Sequence, residues 1–254
     1  MQITILGTGT SQGVPVIGCT CPVCRSLDYR DKRLRVSVHV EVNGRSFIID
    51  TGPDFRTQAL REHIIHLDAV LFTHAHKDHT AGLDDIRPFN FRQNSDIPLY
   101  GEANVLDQIQ MEFSYAFAEN KYPGVPRLRL EPIIHEPFEV LGIEVTPIRV
   151  MHHRLPVYGF RIQDFCYITD ANFIPEEEYP KFKNCRVLIL NALHKGPKHL
   201  SHFTLPEALA IIERIKPERA YITHISHSMG LHREVETELP PNVRLAYDGL
   251  RLTF

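Results

Sequence analysis

The chain lacks any long apolar run. No stretch of its 254 residues approaches the roughly 20 consecutive apolar residues that a membrane-spanning helix requires. Its start, MQITILGTGTSQG, is too short and too rich in glycine for a signal peptide, and it predicts a strand that runs into a loop. We therefore expect no membrane partner and a cytoplasmic location.

Cysteine is also scarce, with five residues in the chain, three of them in the short stretch CTCPVC over 19–24. An odd number of cysteines with three clustered is poor material for a disulfide framework and fits a reducing compartment. Cys166 and Cys185 lie among apolar neighbours, so we expect them to be buried and inert. The three clustered thiols suit a zinc ion but leave its tetrahedron one ligand short.

Positive charge is not in excess, because the formal net charge is −3 at pH 7. This balance argues against a nucleic-acid partner. One basic cluster stands out, and it fits either a solvated surface face or a local phosphate contact. Its members are Arg30, Lys32, Arg33 and Arg35. The apolar fraction of 43% and the charged fraction of 23% are ordinary for a soluble globular enzyme.

The secondary structure predicted from the sequence mixes hairpins with strand–helix alternation, and it shows no repeat, low-complexity segment or linker. Asn43-Gly44 predicts one hairpin and Asp248-Gly249 predicts another at the end of the chain. TLPEALAIIERIK predicts an amphipathic helix over 204–216, with Pro217 just past its end. We expect one α/β domain over residues 1–254, with mixed sheets and helices outside them.

Histidine, by contrast, is abundant, with 15 residues. The motif FTHAHKDHTAGL, directly after a predicted strand over 69–73, contains four potential metal ligands: His74, His76, Asp78 and His79. Ligands so close together at a strand end can converge on one point, and imidazole nitrogen with carboxylate oxygen suits zinc, manganese or iron. A histidine-rich surface loop is the alternative.

Further ligand types follow other predicted strands: His152 and His153 after TPIRVM, Asp170 after FCYIT, and His224 after RAYIT. A carboxylate can bridge two metal ions roughly 3.5–4 Å apart, and Asp170 is the obvious bridge. Taken singly, these residues could be core histidines or a helix cap. Their joint occurrence at strand ends favours a two-metal hydrolytic site.

These motifs resemble those of the metallo-β-lactamase superfamily of hydrolases over essentially the whole chain. The matching stretches occur in the superfamily's order: LGTGTSQGVP, IIDTGPDFR, FTHAHKDHTAGL, HHRLPVYGFRI, YITD and THISH. GCTCPVC after LGTGTSQGVP is similar to one branch, the PhnP-type phosphodiesterases, which is related to the tRNA 3′-end endonuclease RNase Z. The resemblance implies a four-layer αβ/βα sandwich of two mixed sheets flanked by helices, with the site at the edge between the sheets.

The resemblance also implies how the ligands divide between two metal ions. His74, His76 and His152 would bind one ion, Asp78, His79 and His224 the second, and Asp170 both. Zinc and manganese both accept such ligands. Lactamases often carry a cysteine where Asp170 stands, so the carboxylate favours a phosphoesterase-like centre.

The sequence leaves the role of two residues open. His152 is the ligand by alignment to Leu155-Pro156, and His153 remains its rival. Asp50 in DTG matches a residue that supports metal ligands by hydrogen bonding in the superfamily, but an ordinary strand-end turn is an equal reading.

The motif THISH contains a candidate for the missing fourth zinc ligand. With His224 in the two-metal site, His227 is left over on the following loop. We predict one structural zinc bound by Cys19, Cys21, Cys24 and His227, which the resemblance also implies. His232 and Cys185 are the rivals for the fourth position.

The predicted function is that of a metal-dependent phosphodiesterase that cleaves small phosphodiesters, a cyclic phosphate or a nucleotide-like ester, with a hydroxide activated by two metal ions. The cofactors would be two divalent ions, zinc or manganese, and one structural zinc. One alternative is a tRNA 3′-processing endonuclease, although the chain has no insert rich in glycine and lysine to grip tRNA. Thioester, lactone or β-lactam hydrolysis and non-enzymatic zinc storage are others. The sequence does not define the oligomeric state and is compatible with a homodimer.

Asp78 and His202 are the predicted catalytic residues. His202 stands just before the predicted helix over 204–216, where the resemblance places a catalytic histidine, and it would give a proton to the departing oxygen at a pKa near neutral. His199 and His194 compete for this role, and simple surface exposure is the alternative. Ser11 in GTGTSQG, with His202, is the predicted substrate-binding pair, unless that loop is a plain connection.

Overall fold

The structure, a computed structural model, describes residues 1–254, and the chain divides into two compact units. The first unit comprises Met1–Gly7, Arg35–Ile134 and Gly249–Phe254, and the second comprises Thr8–Leu34 and His135–Asp248. Each unit contains one seven-stranded sheet. The single domain expected over residues 1–254 stays a prediction.

The sheet of the first unit is mixed. Its strands are β1 (Gln2–Gly7), β2 (Ser37–Val42), β3 (Arg45–Ile49), β4 (Ala69–Leu71), β5 (Ile97–Gly101), β6 (Leu128–Pro132) and β14 (Arg251–Thr253). Their order is β14-β1-β2-β3-β4-β5-β6. Pairing is antiparallel from β14 to β3 and parallel from β3 to β6.

The sheet of the second unit has the same number of strands and the same mixed character. Its strands are β7 (Phe138–Val140), β8 (Ile143–His152), β9 (Leu155–Ile162), β10 (Phe165–Ile168), β11 (Val187–Asn191), β12 (Arg219–Thr223) and β13 (Val243–Leu245). Their order is β13-β12-β11-β10-β9-β8-β7. The parallel strands β10, β11 and β12 end at the same edge, and the predicted ligands Asp170 and His224 follow two of them.

The helices are short except for two. They are α1 (Pro22–Arg25), α2 (Phe55–Arg61), α3 (Lys77–Thr80), α4 (Arg87–Gln93), α5 (Ala103–Glu112), α6 (Ser114–Phe117), α7 (Leu205–Ile215) and α8 (His232–Val235). Four 3₁₀ segments accompany them: Tyr29–Asp31, Leu83–Ile86, Glu176–Phe182 and Glu236–Glu238. No helix combines the length and the apolar character that crossing a membrane requires.

Each unit packs its own apolar core. In the first, Phe55 of α2, Phe72 and Leu99 belong to one buried cluster beneath the helices. In the second, Ile148, Leu190 and Ile222 of the sheet form a buried cluster that also includes residues of α7. Burial of such side chains stabilises each sheet from the helix-covered face, at about 25 cal/mol per Å² of apolar surface removed from water.

The hairpin predicted at Asn43-Gly44 is confirmed, because β2 and β3 pair antiparallel across it. Both turn residues have positive φ, 50° and 75°, as a two-residue hairpin turn requires. The closing hairpin at Asp248-Gly249 is wrong, since β13 and β14 belong to different sheets. The Asp248 carboxylate accepts hydrogen bonds from Thr8 Oγ1 and Leu34 N, at 2.7 and 2.8 Å, instead of closing a turn between paired strands.

The helix predicted over 204–216 is α7. The Glu207 carboxylate accepts hydrogen bonds from Thr204 N and Oγ1, at 2.9 and 2.8 Å, and so satisfies groups at the start of the helix. Lys216 ends it in the left-handed region, with φ of 56°. His202 therefore takes no part in starting α7.

The basic cluster is engaged in internal bonds. Arg33 is buried and donates to Thr8 Oγ1 and Ala246 O at 2.9 and 2.7 Å, and burial lowers its pKa to about 10. Arg30 pairs with Asp28 at 2.7 Å, and Lys32 donates to a backbone carbonyl at 3.2 Å. Arg33 is therefore not part of a solvated face, and a phosphate contact by the other three members stays a prediction.

Candidate functional site

Four predicted ligands of the first unit follow β4: His74 and His76 lie on the loop before α3, and Asp78 and His79 lie within α3. His79 is fully buried, and its Nδ1 donates to Asp50 Oδ2 over 2.7 Å. The Asp50 carboxylate also accepts from Thr73 N and Oγ1, at 2.9 and 2.8 Å. Because the Thr73 hydroxyl proton points at Asp50, its oxygen accepts from His74 Nδ1 at 2.9 Å.

These bonds fix the tautomers of two rings. A neutral imidazole carries one N–H, and in His74 and His79 that proton is at Nδ1, so Nε2 keeps a lone pair. Burial raises the pKa of Asp50, while the neighbouring His79 ring opposes that shift. Asp50 thus contacts predicted ligands rather than serving only as a strand-end turn, although its φ of 63° turns the chain there as well.

The ligand atoms of this loop form two close pairs. His74 Nε2 lies 3.0 Å from His76 Nδ1, and His79 Nε2 lies 3.4 Å from Asp78 Oδ2. Two nitrogen or oxygen ligands at 2.0–2.1 Å from one tetrahedral zinc ion are about 3.3 Å apart. The donor types and their spacing therefore fit a divalent metal ion at each pair.

The second unit carries three predicted ligands at strand ends: His152, Asp170 and His224. His152 Nδ1 donates to Ser201 O over 2.9 Å, so the Nε2 of this ring also keeps its lone pair. Asp170 Oδ1 lies 3.2 Å from His224 Nε2. His152 and Asp170 also offer ligand atoms within 4.8 Å of each other. This group fits divalent metal ions as well.

His153 does not join this group. It turns the chain between β8 and β9 with φ of 58°, its N–H donates to Asn172 Oδ1 at 2.8 Å, and its side chain is exposed. The geometry favours His152 over His153, in agreement with the alignment to Leu155-Pro156. The role of each residue as a ligand stays a prediction.

Three of the predicted site residues share an uncommon backbone conformation. Asp50, Asp170 and His224 have φ of 63°, 56° and 55°. Aspartate and histidine tolerate this left-handed region better than branched side chains do. Each of the three therefore makes an abrupt turn within two residues of the end of its strand.

Histidine rings continue past His224 within the second unit. His202 stacks on His224 with 4.6 Å between ring centroids, and it lies 4.8 Å from the His152 ring. Burial, with the neighbouring His224, lowers the pKa of His202 to about 3. Burial thus favours the neutral form of this ring, and the role of His202 as a proton donor stays a prediction.

A cavity of about 390 Å³ opens beside these rings in the second unit. Ser11 and His202, the predicted substrate-binding pair, both line it, together with His194 and His199. None of its lining side chains is a carboxylate. The loop GTGTSQG is thus part of a cavity wall, and contact between Ser11 and a substrate stays a prediction.

The clustered cysteines meet His227 within the second unit. His227 Nδ1 lies 3.2, 3.5 and 3.5 Å from the Sγ atoms of Cys19, Cys21 and Cys24. Zinc bonds of 2.3 Å to sulfur and 2.0–2.1 Å to nitrogen place such atoms about 3.5 Å apart in a tetrahedron. The four residues therefore fit one zinc ion.

Backbone contacts act on the thiols of this group. The N–H of Cys24 donates to Cys21 Sγ and lowers the pKa of that thiol to about 6. Burial raises the pKa of Cys24 to about 11. Since zinc binds thiolates, Cys21 is ready to bind at neutral pH, whereas the binding of Cys24 would release a proton.

Both rivals for the fourth position are engaged elsewhere. His232 is buried, with its Nδ1 3.1 Å from Arg33 Nη2. Cys185 is buried and donates to Val187 O, as expected for an inert core thiol. Cys166 is also fully buried.

Two further residues contribute contacts without being among the predicted site residues. Thr73 connects Asp50 to His74 through its hydroxyl, and Ser201 orients His152 through its carbonyl oxygen. The position of Thr73 directly before the histidine motif is a weak signal. The sequence gives no signal for the role of Ser201, because the group that acts is its backbone carbonyl, which every residue has.

Comparisons with known proteins agree with this geometry. A family described as "Beta-lactamase superfamily domain" matches residues 45–225. The solved structure of a diphosphatase from the PhnP family is 40% identical, with a TM-score of 0.92, and the match covers 100% of this chain and 97% of that one. Zn²⁺-bound PqqB from Methylobacterium extorquens has a TM-score of 0.82 at 20% identity, with both chains fully covered, which shows the fold alone.

A curated relative from Porphyromonas gingivalis, named octanoyltransferase, is 43% identical over 98% of this chain and 51% of its own length. The chain thus spans about half the length of that relative. The name does not say which half of that protein performs the transfer.

The match to a whole solved structure confirms the fold class predicted from the sequence, an α/β metallo-β-lactamase fold with two mixed sheets and flanking helices. It also confirms the predicted branch. The chain belongs to the metallo-β-lactamase superfamily and, within it, to the PhnP family.

Proposed function

We propose that the protein is a metal-dependent hydrolase of small phosphodiesters or diphosphates. The observation that carries the proposal is the shared tautomer of His74, His79 and His152, whose Nδ1 protons are all held by protein oxygens. Their Nε2 lone pairs are thereby prepared for metal ions. The 40% identity to a diphosphatase favours phosphorus over carbon as the atom attacked.

The proposed ligands are the residues predicted from the sequence. Zinc or manganese would be held by His74, His76 and His152 as one set, by Asp78, His79 and His224 as another, and by Asp170 in both. When bound, such ions supply Lewis acidity, which lowers the pKa of water and offsets the charge of the phosphate.

His202 is the proposed proton donor to the departing oxygen. Its ring is neutral in the substrate-free protein, because burial lowers its pKa to about 3. A phosphate in the adjoining cavity would place negative charge beside the ring, which favours the protonated form and raises its pKa. Substrate binding would thus favour protonated His202, which would then donate this proton to the departing oxygen.

A substrate panel tests the proposal. Purified protein is assayed with zinc or manganese on bis-p-nitrophenyl phosphate, a 2′,3′-cyclic nucleotide, a dinucleoside diphosphate, a pre-tRNA, nitrocefin and an octanoyl thioester. We expect turnover of the diester or diphosphate substrates, and its loss when a chelator removes the metal. Cleavage of the thioester or nitrocefin alone would contradict the proposal, and so would cleavage of pre-tRNA alone.

A further inference from the structure

Two histidines of the cavity have no part in the predicted metal sites. His194 and His199 lie on the loop between β11 and α7, and both line the cavity beside His202. Their rings are partly exposed. They are therefore available to whatever enters the cavity.

The tautomers of these two rings are opposite to those of the predicted ligands. Gly196 N–H donates to His194 Nδ1 at 2.9 Å, and Ser201 N–H donates to His199 Nδ1 at 3.3 Å. Because Nδ1 accepts in both rings, the single proton of each neutral imidazole is on Nε2. These rings present an N–H donor where His79 and His152 present a lone pair. Such donors suit the oxygens of an anion rather than a cation.

The positions of the rings form a row that begins at a predicted metal ligand. His202 stacks on His224, His199 follows at 5.2 Å from His202, and His194 follows at 6.0 Å from His199. The cavity along this row measures about 390 Å³, within the range of small-molecule sites. No carboxylate lines it to repel a negative charge.

We propose that His194 and His199 bind, through Nε2–H, the second phosphate of a diphosphate substrate, the one that departs. The inference rests on the proposed function and names its substrate class as a phosphoanhydride. In the hydrolysis, water forms a new P–O bond at the first phosphorus, and the bond from that phosphorus to the bridging oxygen breaks. The bridging oxygen leaves with the second phosphate and takes up the proton that His202 donates, while the attacking water gives one proton to buffer.

Paired substitutions test the assignment of Nε2. In His199→Gln the side-chain amide reaches the position of Nε2, whereas in His199→Asn it reaches only that of Nδ1. The Asn variant should raise KM for a dinucleoside diphosphate about 10- to 100-fold, the loss typical of a hydrogen bond to a charged group. The Gln variant should have a KM close to that of the wild type. The same pair is made at His194, with His66→Asn, an exposed histidine of the first unit, as the control.

A second substrate distinguishes binding of the second phosphate from a general effect of the substitutions on activity. Bis-p-nitrophenyl phosphate has no second phosphate, so the Asn variants should lose less kcat/KM on it than on the dinucleoside diphosphate. Unchanged KM for the dinucleoside diphosphate in both Asn variants would overturn the inference. Equal loss on both substrates with loss of bound metal would also overturn it.

A binding measurement keeps the inference independent of turnover. Calorimetry compares methylenediphosphonate with methylphosphonate on the metal-loaded protein, and only the first ligand should bind more weakly to the Asn variants. If the wild type cleaves neither phosphate substrate, the proposed function fails, and this measurement still decides whether His194 and His199 bind a second phosphate. Equal affinities of wild type and Asn variants for methylenediphosphonate would then sink the inference.

Discussion

Asp50 and His79 form a buried carboxylate–imidazole pair in which Oδ2 and Nδ1 are 2.7 Å apart and neither residue is exposed to solvent. The pair links the end of β3 to the first turn of α3, so a carboxylate on one element sets the ring orientation on another. Because the same carboxylate also binds Thr73, which accepts from His74, one side chain controls two predicted ligands.

Replacing Asp50 with asparagine should weaken metal binding by about 10- to 100-fold, the usual cost of losing such a supporting group. The amide keeps the size and the tolerance of positive φ but turns one acceptor into a donor facing Thr73 or His79. Metal affinity is measured by competition with a chromogenic chelator. Asp54→Asn, which alters an ion pair with Arg35 at 3.1 Å, is the control and should bind metal normally. Wild-type affinity in Asp50→Asn would show that the pair does not support ligands.

Substituting Cys19 with serine should remove one zinc ion per chain and lower the melting temperature. The free energy of binding a structural zinc is part of the free energy of folding, so its loss destabilises the protein. Zinc is counted by atomic emission after dialysis, and unfolding is followed by calorimetry. Cys185→Ala serves as the contrast, since it should lower stability by creating a cavity while keeping the zinc. A full zinc complement and unchanged melting in Cys19→Ser would refute the Cys₃His assignment.

The variant His202→Ala should retain both active-site metals yet lose about 10²–10⁴-fold in kcat on a diester with a poor leaving group. The loss should be far smaller on bis-p-nitrophenyl phosphate, because that leaving group hardly needs a proton. Rates on both esters are compared at matched metal content, with His66→Ala as an exposed control. Wild-type rates on both would exclude His202 as the acid, and loss of metal would make it a ligand.

Acid should destabilise the protein partly through His232. Burial and the nearby Arg33 lower the pKa of His232 from 6.5 to about 4. Between pH 6.5 and 4, His232 is therefore protonated in the unfolded chain but neutral in the folded one. The contribution of this residue to the free energy of unfolding is fully present above pH 6.5 and is lost as the pH falls toward 4. The slope is at most about 1.4 kcal/mol per pH unit.

His232→Asn should flatten this dependence while its Oδ1 still accepts from Arg33. Denaturant unfolding of wild type and variant is compared at several pH values between 6.5 and 4. Parallel curves for the two proteins would show that another group causes the acid sensitivity.

The sequence predicts the elements well where local chemistry decides them. Asn43-Gly44 needs only its own backbone preferences to form a turn, and it does so. Leu141-Gly142 forms the same kind of turn between β7 and β8, with φ of 50° and 84°, but leucine gives no turn signal, so the sequence does not predict this turn. Asp248 fails as a hairpin residue because remote partners, Thr8 and Leu34, use its carboxylate.

Within the candidate site, the sequence predicts which residue types could bind metal, but it does not predict which nitrogen of each histidine carries the proton. Whether a histidine offers a lone pair or a proton depends on what faces its Nδ1, such as the carbonyl of Ser201 for His152 or the N–H of Gly196 for His194. The low pKa of His202 likewise results from burial among other rings, which no local pattern encodes.

The left-handed backbone of Asp50, Asp170 and His224 has a consequence for how this protein can change over generations. A residue other than glycine in this region costs of order 1–3 kcal/mol, so glycine at Asp170 should raise the melting temperature while abolishing activity. Once selection for catalysis is relaxed, glycine at Asp170 or His224 would relieve this strain, whereas glycine at Asp50 would also leave the buried Thr73 N–H without its acceptor. A rise in the melting temperature of Asp170→Gly would establish that this backbone strain is present.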